Sequence, residues 1–228
     1  MGADDERRRM VQDQLRDRGI HDERVLAAMA EVPRDHFLDP DRQGRAYADE
    51  AVPIDAGQTI SQPWVVARMT ELLAPEVGDR ILELGTGSGY QAAILAALGA
   101  EVTSLERHSV LAAKARERID SLDLPGSVTI RVTDGSLGDP GGAPWDGIIV
   151  TAAAPSIPTE LRDQLADGGR LVIPVGPRDH QILTLVVRHG DVWRDTPHGA
   201  VVFVPLIGPG GFPDDSGGER RQRRCRWL

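Results

Sequence analysis

Gly85, Gly87 and Gly89 stand in "ELGTGSG", directly after one short apolar run and before a helical one. A tight strand-to-helix turn needs positive φ, which glycine adopts cheaply. Without Cβ atoms such a loop lets a ligand approach the main chain, and the following helix offers free N–H groups. The spacing G-x-G-x-G is one residue shorter at its last gap than the dinucleotide fingerprint, and no Lys-Ser or Lys-Thr follows, which excludes a phosphate-binding P-loop. Glu106 lies 21 positions after Gly85, in "SLER", where its carboxylate can accept hydrogen bonds from both hydroxyls of a ribose. Asp134, in "TDGS", could read an adenine amino group, although Asp-Gly is also a common turn. Other chemistries have no signature. The six histidines show no metal-ligand spacing. There is no H-E-x-x-H, and no G-x-S-x-G elbow that would make Ser88 a nucleophile.

The elements around the loop must bring these side chains to one edge. From Gly78 onward, short apolar runs alternate with helical stretches. The pattern predicts strands at 80–84, 101–106, 127–132, 146–151, 169–175, 181–187 and 200–206, and helices at 90–98, 110–119 and 158–166. This is an α/β doubly wound, mostly parallel seven-stranded sheet, with an antiparallel end where the connections become short. Upstream, residues 4–31 read as helical with a break at Gly19. Residues 32–63 read mostly as loop, and a helix follows from Trp64 to Leu73 with Pro63 in its first turn. The expected organisation is an N-terminal part with an active-site loop over 1–78, a binding core over 79–208 and a flexible basic tail over 209–228. "GPGGFPDDSGG" at 208–218 has linker composition.

Composition narrows the classes. The net charge of −9 argues against a general nucleic-acid binder. "ERRQRRCRWL" opposes that average with a charge of +4, and reads as a solvated end or as a contact for an acidic partner. Cys225 in that tail is the single cysteine, so no internal disulfide or cysteine metal site is possible. No signal peptide is recognisable and no apolar run suits a membrane span, so a cytoplasmic chain without membrane or nucleic-acid partners is expected. The chain has no asparagine and one lysine, Lys114. A GC-rich genome is the preferred explanation of both.

The glycine loop, Glu106 and Asp134 at successive strand ends together resemble class I S-adenosylmethionine-dependent methyltransferases. A narrower resemblance lies in "GQTISQP", "ELGTGSGYQ", "APWDGIIVTAAAPSIP", "GGRLVIPVG" and "VVFVPLIG", which are similar to protein-L-isoaspartate O-methyltransferases from about Met10 to Gly208. The resemblance implies methylation of the free α-carboxylate of isoaspartyl residues in damaged proteins and peptides, which leads through a succinimide to repair. It implies a monomer and no metal. S-adenosylmethionine would be held by Thr59, Ile60, Glu83, Gly85, Thr86, Gly87, Gly89, Glu106, Arg107, Asp134 and Gly135. Glu83 departs from the Asp of some members.

By the same resemblance Ser61 is the active-site serine, orienting the isoaspartyl carboxylate. The alternative for Ser61 is a cap on the following helix. Thr59, Ile60, Thr151, Ala152, Val204, Pro205 and Leu206 would complete the substrate site. Thr151 and Ala152 also suit an ordinary strand-to-helix turn, and residues 204–206 an ordinary strand end. As a final strand, 204–206 would pair main chain to main chain with a bound peptide. A relative that forms an aspartimide in one dedicated peptide would carry the same motifs. A non-enzymatic module that kept the fold is a third reading, against which the intact loop and acids argue.

Overall fold

The computed structural model describes residues 2–214. The chain enters through helix α1 (Ala3–Arg9), which winds into a π-helical stretch at Met10–Leu15 and a 3-10 turn at Arg16–Arg18. Gly19, at φ 87°, ends this run, and the Ile20 N–H returns to the Leu15 carbonyl at 3.1 Å. Helix α2 (Glu23–Glu31) is capped by Asp22, whose carboxylate accepts from the Arg24 and Val25 N–H groups. Residues 32–63 contain short 3-10 turns and also an unexpected two-stranded hairpin, β1 (Val52–Pro53) and β2 (Thr59–Ile60), with Val52 opposite Ile60. Strands of two residues leave no readable periodicity in a sequence. Helix α3 (Pro63–Leu73) begins with proline at N1.

The core then runs β3 (Arg80–Leu84), α4 (Tyr90–Ala97), β4 (Glu101–Glu106), α5 (Ser109–Asp120), β5 (Ser127–Val132), β6 (Trp145–Val150), α6 (Thr159–Asp163), β7 (Leu165–Val175), β8 (Gln181–His189) and β9 (Val192–Val201). The sheet order is β5-β4-β3-β6-β7-β8-β9. The first five of these are parallel, and β8 and β9 run antiparallel as a meander. Period-two alternation feeds two cores. Ile81, Ile149 and Val172 face the layer of α2, α3 and α4; Leu82, Leu84, Ile148, Val150 and Leu171 face the layer with Leu161 and Leu165. Among the described residues no helix is long and apolar enough to cross a membrane.

Three expectations need correction. The helix expected at 158–166 is only Thr159–Asp163, and β7 starts at Leu165. A bulge absorbs "ADGG": Trp145 pairs with Leu165, and the next pair is Gly147 with Arg170. The final strand lies at Val192–Val201 instead of 200–206. It is an exposed edge strand, where Pro197 and charged residues are tolerated, so its composition hides it. Residues 204–206 leave this sheet edge and reach the end of β6, where the Ala153 N–H donates to the Val204 carbonyl and the Leu206 N–H to the Ala153 carbonyl, both at 2.8 Å.

The stretch from Gly208 to Asp214 is also packed. Phe212 N–H donates to the Leu206 carbonyl at 2.7 Å, and Gly210 N–H to the Ser136 hydroxyl at 3.3 Å. A Cβ on Gly210 would strike the Ser136 carbonyl, so only glycine allows this approach. The basic decapeptide from residue 219, with Cys225, lies outside the described residues.

Candidate active site

The glycine loop joins β3 to α4 at the carboxyl edge of the sheet, where open α/β sheets hold ligands. Gly85, Gly87 and Gly89 adopt φ of 97°, 55° and 92°. A Cβ on Gly85 would stand 2.6 Å from the Thr151 hydroxyl oxygen. That hydroxyl reaches the Gly85 and Leu84 carbonyls at 2.5 and 3.0 Å, stitching the loop to the residue after β6. Gly89 has a different task. Its Cβ would sit 3.1 Å from the Ala115 and Ile119 side chains, so its absence lets α4 pack against α5, and Gly89 does not face the cleft.

Glu106 ends β4 and is 5% exposed. One carboxylate oxygen accepts from the Gly87 N–H and the other from the His108 N–H, each at 2.9 Å. Each oxygen keeps a lone pair for a ligand hydroxyl. Asp134, after β5, accepts the Ser136 N–H at 2.9 Å. Gly135 approaches Leu105 so closely that a Cβ would lie 2.8 Å from the leucine Cβ.

Glu83 lies beneath the loop, fully buried, and does not reach the cleft. The Ser104 hydroxyl bonds its carboxyl at 2.5 Å and the Thr86 hydroxyl at the same distance. Burial pushes the Glu83 carboxyl up to about 8 against the pull of Ser104, and the Glu106 charge adds to the rise. At neutral pH it is an uncharged acid that acts on the loop through Ser104 and Thr86.

The glycine loop borders a cleft of about 1060 Å³. Its lining includes Thr59, Ile60, Ser61, Gly85, Thr86, Gly87, Glu106, Arg107, Asp134, Gly135, Thr151, Ala152, Val204, Pro205 and Leu206. Glu83 and Gly89 are thus the two candidates that stand outside it. A second groove, also of about 1060 Å³, runs past Arg18, Trp64, Val65, His180 and residues 200–204. Four residues face both spaces: Thr59, Ser61, Thr151 and Val204. Helix α3 takes Gln62 as its N-cap and makes no side-chain cap bond, so the Ser61 hydroxyl does not serve that helix. Among the described residues it has no basic side-chain partner either, which does not suit a nucleophile.

A family model described as Protein-L-isoaspartate(D-aspartate) O-methyltransferase (PCMT) matches residues 6–210. The chain belongs to this family. A protein-L-isoaspartate O-methyltransferase of Methanoregula boonei is 53% identical over 208 residues, covering 91% of this chain and 95% of its own. One from Halorhodospira halophila is 53% identical over 196 residues, covering 86% and 89%. A solved protein-L-isoaspartate O-methyltransferase superposes with a TM-score of 0.76 at 25% identity, covering 90% of this chain and 66% of that longer one. A Plasmodium falciparum chain described as a putative PCMT, solved with S-adenosyl-L-homocysteine, gives 0.73 at 26% identity, covering 86% and 96%.

Several lining residues of this PCMT-family chain escaped the sequence reading. Gln91 carried a signal, as the lone polar residue in the apolar helix "YQAAILAA"; it is buried and donates to the Thr70 hydroxyl at 2.9 Å. Ser136 and Ile207 join the cleft because residues 206–212 fold back onto the 134–136 loop. Arg107, a donor-site residue by the sequence resemblance, lines the same wall, and its ion pair with Asp214 at 3.0 Å is the part not foreseen. Arg18 meets the groove through Trp64, whose indole N–H donates to the Arg18 carbonyl at 3.3 Å. These contacts join distant segments and leave no local pattern.

Proposed function

We propose that this chain methylates the free α-carboxylate of isoaspartyl residues in proteins and peptides, with S-adenosylmethionine in the glycine-loop cleft and the damaged peptide in the adjoining groove. The observation that carries this reading is the position of Ser61 on the wall common to both spaces.

The residues present suit the donor. A Cβ on Gly87 would meet only the Ile54 methyl, at 3.9 Å, so the loop main chain faces open space there, and a nearly buried carboxylate, Glu106, stands at the next strand end with an acceptor site left on each oxygen. Glu106 would hold the ribose hydroxyls and Asp134 the adenine amino group, with Gly85, Thr86, Gly87, Arg107 and Gly135 shaping the walls. Thr59 and Ile60 would cover the site from the hairpin. When bound, the donor supplies a sulfonium methyl group whose positive charge is lost on transfer.

The protein's work is then mainly alignment. An α-carboxyl has a pKa of roughly 3.3–3.7, so it reaches the site as an anion and needs no general base. A neutral hydroxyl donor suits it, and Ser61 is that donor. Glu83, uncharged at neutral pH, adds no second anion beneath the loop. An added anion would favour the cationic ground state over the transition state. Thr151 and Ala152 would border the reacting carboxylate. Residues 204–206 offer a limited main-chain edge. The Val204 carbonyl and Leu206 N–H are taken by Ala153, and Pro205 has a carbonyl but no N–H. A peptide would therefore donate to this edge more than accept from it, and such contacts do not read side chains.

The test uses donor with a labelled methyl group and two peptides of one sequence, with Asp or isoaspartate at one position. Base-labile label on the isoaspartyl peptide alone is expected. Label on neither peptide, or equally on both, would overturn the reading.

A further inference from the structure

The lone lysine of the chain touches the hairpin that carries Thr59, Ile60 and Ser61. Asp55 forms the turn between β1 and β2, and the Lys114 ammonium on α5 meets its carboxylate at 2.8 Å. The same nitrogen lies 3.1 and 3.0 Å from the two carboxylate oxygens of Asp39. An ammonium has three N–H donors, and here three carboxylate oxygens meet them. Arg118, one helical turn further along α5, holds Asp39 at 2.7 Å and so fixes the inner side of the clasp.

The hairpin needs such a hold. Val52 and Ile60 anchor its base in the core. Its tip has no such burial, and Ala56 adopts φ 54°. That left-handed conformation costs a residue with a Cβ. Beside this strained position, Lys114 grips Asp55. On the other side of Asp55, the Ile54 methyl lies where a Cβ on Gly87 would be 3.9 Å away, so the tip roofs the glycine loop.

We propose that Lys114 is a positioning residue: by clasping Asp55 it holds the 52–60 hairpin down over the glycine loop and so sets how tightly the donor and its demethylated product are retained. The inference rests on the reading of the cleft as the donor site. It accounts for the residue type as well. An ammonium is a compact point donor that can serve two carboxylates at once, whereas a planar guanidinium pairs best with one.

The test is a double-mutant cycle with Lys114→Met, Asp55→Asn and the double variant in the full chain. The readouts are the affinity for S-adenosylhomocysteine, hydrogen exchange of the amides at 54–60 without ligand, and thermal stability. Each single variant is expected to weaken binding about two- to fivefold, the upper part of the range of partly exposed ion pairs. The double variant should be no weaker than the worse single one. Exchange at the hairpin should rise in all three, and the wild-type affinity alone should fall with salt. With peptide substrate, KM for the donor should rise more than kcat falls. Lys114→Arg should recover only part of the affinity. Strictly multiplicative losses in the cycle, or lower thermal stability with unchanged affinity and hairpin exchange, would overturn the proposal. A wild-type chain that does not bind S-adenosylhomocysteine would instead overturn the donor reading on which it rests.

Discussion

The Thr151 hydroxyl stands 2.6 Å from the point a Cβ on Gly85 would occupy, and it also bonds the Gly85 carbonyl at 2.5 Å. One side chain thus requires the glycine and fixes its turn. Gly85→Ala is expected to cost about 1–3 kcal/mol from the positive φ alone, with the clash added. Because the clash is with one side chain, Gly85→Ala placed on Thr151→Ala should lose less than the two single effects combined. Denaturant melts of the four chains check this.

Glu106 holds two main-chain N–H groups before any ligand arrives. Glu106→Gln removes the charge and leaves only one acceptor oxygen. The loop should loosen and donor binding should weaken about 10- to 100-fold, as for lost hydrogen bonds to a charged group. Calorimetric titration with S-adenosylhomocysteine measures it. Unchanged affinity would remove Glu106 from the donor site.

Ser61→Ala should leave donor affinity near that of the wild type and lower kcat about 10- to 100-fold, the cost of losing alignment of one reacting group. Steady-state kinetics with an isoaspartyl peptide separate the two effects. A rise in donor Kd with unchanged kcat would make Ser61 part of the roof alone.

Glu83 provides a pH prediction. Its folded pKa of about 8 lies above the ordinary glutamate value of 4.5. Between those values the folded chain keeps a proton that the unfolded chain has released. The stability gained is full below about pH 4.5 and is lost as the pH rises through about 8. Glu83→Gln removes the titration, so its stability should vary less with pH than that of the wild type across this window. A wild-type stability curve parallel to that of the variant would show that Glu83 is ionised in the fold.

Gly210→Ala should push residues 206–212 off the 134–136 loop, since the added methyl meets the Ser136 carbonyl. Donor affinity should fall several-fold while the sheet stays folded, because Ile207 and Leu206 line the cleft. Far-ultraviolet dichroism together with donor titration tests this.

What the sequence determined by itself is local. Strands β3, β4 and β5 lie where alternation with helices placed them, because periodicity is a property of a few adjacent residues. Gly85, Gly87, Glu106 and Asp134 follow from those strands, since a residue at a parallel strand's carboxyl end has only one edge to occupy.

The tertiary structure decided the rest. Ser61 faces the same spaces as Thr151 and Val204 only after a hairpin, the end of β6 and the departure from β9 converge. No spacing encodes that convergence. Strand β9 hid behind edge-strand composition, and residues 208–214 behind a linker's glycines, of which Gly208 and Gly210 closely approach Ser136 and Gly211 the Leu206 carbonyl. Glu83 became a neutral acid, and Lys114 a clasp, through burial and through neighbours distant in the chain. Burial and long-range pairing depend on how the whole chain packs, so one residue's type and near neighbours do not reveal them.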